Sequence, residues 1–331
     1  MADLLGAKLR GLARAQWGEA EREQADFPGG AALVDGSTGW LLLEPNPVGA
    51  LGAALVWADR RGLDELHLLA ETDGGVVARR ASVFDPAPSV WQVEGTALVP
   101  AVADAPRAVL GALPAPELAE LLVDADLEVF VEDGVVRGEY LGLEVARIVH
   151  GTTTAGTPID EPVLEVGVGH ADREMTAMLH GGLTPTDQLA RVVEIVKQHR
   201  RAGAEPHPLN QLAPERWLRA LLLTDPSRIG LRELHHAEPA IPRPNLRDAA
   251  VAMATGLDVA GQAVVVGIAV GVLLDFVPAA ADARFGLDPQ ARLLLVTPER
   301  DALPVTKALA ERMAQPADLV TVPDDWRTAA P

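Results

Sequence analysis

A repeated order of strand, helix and strand constrains this chain more than any other feature of its sequence. The order occurs first at residues 40–43, 48–62 and 65–70, and again at 292–296, 302–314 and 318–322. A connection through a helix makes the two strands parallel and the crossover right-handed. We therefore expect two α/β modules, related either by duplication or only by the common geometry of such units.

Turn residues and hydrophobic spacing fill in the rest of the expected fold. Asp35-Gly36 and Gly39, lying between apolar runs at 31–34 and 40–43, predict a β-hairpin. Helical spacing of apolar residues predicts three central helices, over 172–179, 186–202 and 214–223. The predicted class is α/β, with mixed β-sheet modules and flanking helices around a helical middle. The predicted segments are 1–150, 151–245 and 246–331, with a boundary in the Thr-, Gly- and Pro-rich stretch 151–162.

Composition limits the classes of protein to which the chain can belong. Of its 331 residues 48% are hydrophobic, which is enough to bury a sizeable core. There is no cysteine, so disulfides and thiolate metal sites are excluded, and the longest apolar run, 263–274, is too short to cross a bilayer. A net charge of −19 disfavours non-specific binding to nucleic acid. We expect a soluble, cytoplasmic protein that does not act at a membrane.

Two acidic residues flank the first hairpin in a recognisable order of elements. Asp35 lies on one strand and Glu44 on the next, and the chain order is helix, hairpin, helix, strand. This resembles the core of the restriction-endonuclease-like PD-(D/E)XK nucleases. The resemblance implies that Asp35 and Glu44 hold Mg²⁺ or Mn²⁺, which would activate a water against a phosphodiester. Asn46 stands where that family has lysine. The alternative is that Asp35 is a turn residue and Glu44 a strand end.

The C-terminal repeat offers a second set of acids for the same comparison. Asp282 precedes the strand at 292–296 and Glu299 follows it, while Asp301 occupies the position of the family's lysine. Both modules therefore lack the lysine that the resemblance calls for. This absence favours a degenerate nuclease-like scaffold without catalytic activity over a working nuclease.

The central hairpin carries a third group of candidate ligands. Glu144 and Glu165 lie on neighbouring predicted strands, and His170 and Asp172 follow the second strand. Carboxylates and an imidazole at such a junction bind Zn²⁺, Mn²⁺ or Fe²⁺, or act in acid–base catalysis. The alternative is a solvent-facing strand pair, with Asp172 capping the next helix.

Basic residues are concentrated in one region of this acidic chain. The cluster comprises Lys197, Arg200, Arg201, Arg216 and Arg219, together with Trp217. Such a cluster binds phosphate or an acidic partner, and an indole beside it can stack on a ligand. Alternatively, the positive charges only complement the negative end of a helix dipole.

Three functional hypotheses follow from these patterns. The first is a non-catalytic interaction scaffold, with a protein partner or self-association as its target. The second is a nuclease or phosphohydrolase that depends on Mg²⁺ or Mn²⁺, and the third is a metal-dependent enzyme at the central hairpin. No Walker loop, nucleophile elbow, zinc-protease motif or dinucleotide fingerprint occurs in the sequence. The first hypothesis is favoured because both nuclease-like modules lack lysine.

Overall fold

The computed structural model describes residues 2–152, 158–169, 173, 184–243 and 245–329. The chain divides into two compact units, each assembled from separate stretches. The first unit contains Met1–Pro106, Val272–Leu295 and Ala302–Leu319, and the second contains Arg107–Gly271, Val296–Asp301 and Val320–Pro331. These units differ from the three consecutive segments predicted from the sequence, because the C-terminal part of the chain contributes to both.

The described residues form a mixed α/β fold, which confirms the predicted class. The helices are α1 (Ala2–Trp17), α2 (Pro47–Arg60), α3 (Gly74–Ala81), α4 (Pro116–Asp124), α5 (Pro185–His199), α6 (Pro214–Thr224), α7 (Phe276–Leu287) and α8 (Pro304–Glu311). The strands are β1 (Glu23–Ala25), β2 (Gly30–Asp35), β3 (Thr38–Leu43), β4 (Glu65–Ala70), β5 (Ser89–Glu94), β6 (Ala97–Pro100), β7 (Glu128–Glu132), β8 (Val135–Tyr140), β9 (Leu143–Thr152), β10 (Pro158–Val166), β11 (Leu231–Ala237), β12 (Ala252–Asp258), β13 (Ala263–Ile268), β14 (Arg292–Pro298) and β15 (Asp318–Val322). They form sheets in the orders β1-β2-β3-β4-β5-β6, β10-β9-β8-β7 and β11-β12-β13-β14-β15.

The first sheet contains the predicted hairpin and the predicted crossover. Strands β2 and β3 pair antiparallel around the Gly36-Ser37 turn, and β3 pairs parallel with β4. Helix α2 connects the two parallel strands. It begins where the sequence places Asn46-Pro47, because the Asn46 side chain accepts a hydrogen bond from the Gly49 N–H and proline suits the first helical position.

The order of elements in the first sheet recurs at the end of the chain. The first sheet is built in the chain order α1, β1, β2, β3, α2, β4, α3, β5. The C-terminal part has the same order of elements, which is α6, β11, β12, β13, α7, β14, α8, β15. Both sheets keep these strands in chain order. The repeat is therefore longer than the sequence pattern indicates, and it matches β4 with β14 rather than β3 with β14. This order is the one expected of a duplicated module.

Corresponding positions of the repeats also meet within the first unit. Phe84, which follows α3, forms an antiparallel bridge with Met313, which follows α8. The flanking hydrogen bonds run from the Asp85 N–H to the Arg312 carbonyl and from the Ala314 N–H to the Val83 carbonyl, each at 2.9 Å. Backbone hydrogen bonds therefore join the segments that follow α3 and α8 within the first unit.

The middle of the chain combines helices with a sheet. Helices α5 and α6 confirm two of the three expected helices, and an antiparallel four-stranded sheet occupies 128–166. The predicted boundary at residue 150 falls inside β9, which pairs with β10 up to Thr152 and Pro158. The predicted helix over 172–179 lies outside the described residues, apart from Arg173. In the part of the chain that the structure describes, no helix is both long and apolar enough to cross a bilayer.

Candidate anion-binding site

The hairpin acids of the nuclease resemblance lie at opposite ends of their hairpin. Asp35 pairs with Thr38 beside the turn, whereas Glu44 follows the far end and its N–H donates to the Gly29 carbonyl at 2.9 Å. Thr38 and Glu44 are six positions apart along extended chain, a distance of about 20 Å. Carboxylates that share a divalent cation each lie about 2.0–2.6 Å from it. The structure therefore does not bring Asp35 and Glu44 together at one metal.

Asp282, a candidate from the C-terminal repeat, is a buried partner of two arginines. It lies on α7, is 2% exposed, and accepts hydrogen bonds from Arg79 at 2.7 and 3.2 Å and from Arg80 at 2.9 Å. Arg80 also pairs with Asp275 at 2.8 Å, although burial raises the pKa of Asp275 to about 6. With its lone pairs engaged and no access to solvent, Asp282 is a structural group. Glu299 is exposed at the start of a 3₁₀ helix.

The candidate acids of the central hairpin are paired with arginines. Glu144 binds Arg137 and, at 2.8 Å, Arg173, and Glu165 binds Arg147 at 2.8 Å. Arg173 also lies 3.8 Å from Glu165, so one guanidinium bridges both carboxylates where a cation would otherwise sit. The other two predicted ligands, His170 and Asp172, lie outside the described residues. Among the residues that are described, no group of three or more His, Asp or Glu could hold a metal ion.

Three of the five predicted basic residues are buried rather than exposed. Arg200 is 0% exposed and donates to the backbone carbonyls of Leu141 and Leu212, and burial lowers its pKa to about 9. Arg216 and Arg219 are buried on α6. The prediction that these three arginines form a basic surface is therefore wrong. Their guanidinium groups are paired inside the second unit and cannot bind a ligand from solvent.

Arg216 and Arg219 belong to a buried charge network against the four-stranded sheet. Arg216 donates to Glu139 at 2.5 Å and to Glu132 at 2.6 Å, and Arg219 donates to Glu139 at 3.0 Å. Burial opposes ionisation of Glu139, but the charges of Arg216 and Arg219 hold its pKa below the usual range. His236 lies 3.6 Å from Glu132, and its own pKa is lowered, chiefly by burial. The network is internally neutralised and fixes α6 to the sheet.

The remaining two basic residues of the predicted cluster lie at the surface. Lys197 pairs with Asp126 at 2.9 Å and lies over the Tyr140 ring, so its charge is already neutralised. Arg201 is exposed, and its Nε donates to the Gln198 carbonyl at 3.2 Å. No carboxylate in the described part of the chain forms an ion pair with Arg201. The predicted cluster therefore reduces to this one available cation.

Arg201 lines a cavity in the second unit, and none of the described residues that line this cavity is acidic. The cavity has a volume of about 280 Å³, and we call it the tryptophan–arginine cavity. Its lining residues are Arg201, Gly203, Ala204, Pro206, His207, Asn210, Gln211, Trp217 and Arg327. Trp217 is 1% exposed and its indole N–H has no acceptor among the described residues. In a chain with 47 acidic and 28 basic residues, a cavity lined by two arginines and no acid is a local exception.

Arg327 is the most informative residue of this cavity. Its guanidinium lies over the rings of Trp217, at 5.4 Å, and Trp326, at 4.7 Å. The group is half-buried, its Nε has no acceptor, and it forms no ion pair with any carboxylate of the described residues. Burial, with a smaller contribution from Arg300, lowers the pKa of Arg327. A half-buried cation without a counter-ion is costly, and an anion in the cavity would remove that cost.

The arrangement presents charged and neutral hydrogen-bond donors and the His207 imidazole around one space, and no carboxylate is among the described residues that line it. The sequence indicated Arg201 and Trp217 but not Arg327, which lies far along the chain and in no basic cluster. Comparison with models of protein families, with curated proteins and with solved structures finds no match to this chain.

Proposed function

We propose that this chain is a non-catalytic interaction protein, and that the tryptophan–arginine cavity binds a carboxylate presented by a partner protein. The observation that carries the proposal is Arg327, a half-buried guanidinium with no ion-pair partner in the described chain, beside a cavity without acids. Arginine recognises carboxylates through paired, charge-assisted hydrogen bonds. The two tryptophan rings hold Arg327 in place, so little of its freedom is lost on binding.

The net charge indicates which kind of protein would present that carboxylate. A surface of −19 attracts basic proteins and repels other acidic ones, including a second copy of this chain. We therefore favour a basic partner over self-association. One Asp or Glu side chain, or a C-terminal carboxylate, on an otherwise basic surface would complement both the overall charge and the local cavity.

The non-catalytic part of the proposal is supported by what surrounds the candidate acids. Asp35 and Glu44 lie about 20 Å apart, and Asp282, Glu144 and Glu165 are occupied by arginines. A nuclease-like activity would need two of these carboxylates free and converging on one ion. The resemblance to nucleases stays a prediction about ancestry and fold.

A small probe tests the cavity directly. The α-amide of N-acetylglutamate, which carries one carboxylate, should bind to the wild-type chain in isothermal titration at low salt, and N-acetylglutaminamide, which carries none, should not. Arg327→Gln and Arg201→Gln should each weaken binding, while Arg232→Gln, which changes an exposed arginine paired with Glu233 at 3.8 Å, should not. Equal binding of the two probes, or equal loss in the Arg232 variant, would refute the cavity as a carboxylate site.

A thermal melt with Mg²⁺, Mn²⁺ and Zn²⁺ tests the non-catalytic part. A metal that binds only the folded chain raises its melting temperature according to its affinity. We expect no increase that depends on Glu44 or Glu165. An increase abolished by Glu44→Ala would restore the nuclease-like hypothesis, and an increase abolished by Glu165→Ala would place a metal centre at the central hairpin.

A further inference from the structure

We propose that the first unit carries a separate binding site for a phosphate monoester, formed by three arginines. A cavity of about 330 Å³ is lined by residues of α1 and of the segment before β1, and by one residue of β2. The lining residues are Ala7, Arg10, Gly11, Arg14, Glu19, Ala20, Arg22 and Leu33. Three guanidinium groups face one carboxylate here, in a chain whose net charge is −19. We call this space the arginine pocket.

Arg22 is the best-positioned cation of the arginine pocket. Its guanidinium lies over the Trp40 ring at 4.9 Å and donates to the Gly18 carbonyl at 3.1 Å. Its Nε is buried without an acceptor among the described residues. The stacking and the backbone contact fix the plane of the guanidinium but do not neutralise its charge.

The two arginines on α1 are also largely unneutralised. Arg10 and Arg14 are one helical turn apart, a spacing at which like charges destabilise the helix. Arg10 donates to the uncharged Gln24 side chain. Arg14 lies 3.7 Å from Glu19 with both groups mostly exposed, a geometry that contributes little. By contrast, Lys8 on the same helix is paired with Glu71.

Three guanidinium groups around one cavity match the charge and shape of a phosphate group. Each guanidinium offers paired donors to phosphate oxygens, and a phosphate monoester carries close to two negative charges at neutral pH. The cavity is larger than a phosphate ion, and its other walls are Ala7, Gly11, Ala20 and Leu33. These small and apolar walls leave room for a compact organic group attached to the phosphate.

Isothermal titration of the full chain with phenyl phosphate at low salt tests this site. Benzenesulfonate is the matched comparator, because it has a similar shape but a single negative charge. We expect phenyl phosphate to bind more tightly at pH 7.5, and Arg22→Gln and Arg14→Gln each to weaken its binding about tenfold or more. The control is Arg61→Gln, because Arg61 lies over Trp57 at 4.4 Å but lines neither the arginine pocket nor the tryptophan–arginine cavity.

The pH dependence separates this site from general attraction to anions. The second pKa of a phosphate monoester is about 6, so phenyl phosphate carries close to a single negative charge at pH 5. The preference of the arginine pocket for phenyl phosphate over benzenesulfonate should therefore largely disappear at that pH. Failure of phenyl phosphate to bind would overturn the inference, as would an equal loss in Arg61→Gln. Because Arg14 is exposed, a loss of binding in Arg14→Gln cannot be attributed to misfolding, and unchanged binding in this variant would also overturn the inference. The arginine pocket and the tryptophan–arginine cavity lie in different units, so either proposal can fail alone.

Discussion

Replacing Asp282 should destabilise the fold, because this carboxylate is the buried partner of Arg79 and Arg80. Asp282→Asn removes a buried negative charge while keeping the size of the side chain, and it leaves Arg79 and Arg80 buried at 5% and 3% exposure. The new amide nitrogen would also face guanidinium donors. Breaking a buried ion pair by removing one partner costs about 3–5 kcal/mol. We therefore expect the free energy of unfolding to fall by that amount.

Urea denaturation, followed by circular dichroism and by tryptophan fluorescence, measures this change. The matched control is Asp318→Asn, since Asp318 is 62% exposed and pairs with Arg292 at 3.1 Å. Exposed pairs contribute at most about 1 kcal/mol, so this variant should unfold close to the wild-type midpoint. Equal midpoints for the two variants would refute the assignment of Asp282 as a structural group. They would make a functional role for its carboxylate worth testing again.

Two further predictions concern a buried acid and a close helix contact. Burial raises the pKa of Glu128 to about 7 despite Arg219, so the folded chain holds this proton more tightly than the unfolded chain, whose pKa is 4.5. The stability that this proton contributes is therefore present at pH 4.5 and is lost as the pH rises through 7. Between pH 5 and pH 8, the free energy of unfolding of Glu128→Gln, measured in urea, should rise by about 2–3 kcal/mol relative to wild type. A difference that stays constant with pH would contradict the raised pKa of Glu128. Separately, a Cβ at Gly52 on α2 would lie 2.0 Å from the Leu274 carbonyl oxygen, whereas one at Gly11 on α1 meets nothing within 4 Å. Gly52→Ala should lower the free energy of unfolding by about 1–3 kcal/mol or more, whereas Gly11→Ala should raise it by up to about 1 kcal/mol. Equal melting temperatures for the two variants would show that α2 and the chain at Leu274 can move apart without cost.

Local sequence signals predicted the elements that depend on local chemistry. Asp35-Gly36 predicted the β2–β3 turn, and Asn46-Pro47 lies at the start of α2 because a capping side chain and a fixed φ suit that position. The helix between apolar runs correctly implied the parallel pairing of β3 with β4. These features follow from a few consecutive residues.

Long-range pairing of charges was beyond the reach of the sequence. Arg79 and Asp282 are 203 positions apart, and Arg216 meets Glu139 across 77 positions. A single sequence shows a basic cluster but does not show which distant carboxylates neutralise it. Arg216 and Arg219 therefore looked like surface cations, and Asp282 looked like a free acid. Arg327 could not be predicted for the opposite reason. It belongs to no basic cluster in the sequence, and it is distinguished only by having no ion-pair partner among the described residues of the fold.

Recognition of one carboxylate on a basic partner by the tryptophan–arginine cavity can be measured with a double-mutant cycle. The cycle compares a lysine-rich, C-terminally amidated peptide that carries one Glu with the same peptide carrying Gln. We predict that the Glu peptide binds wild type more tightly by about tenfold or more, and that Arg327→Gln abolishes this difference. An undiminished preference for the Glu peptide in Arg327→Gln, or no preference in wild type, would contradict the claim.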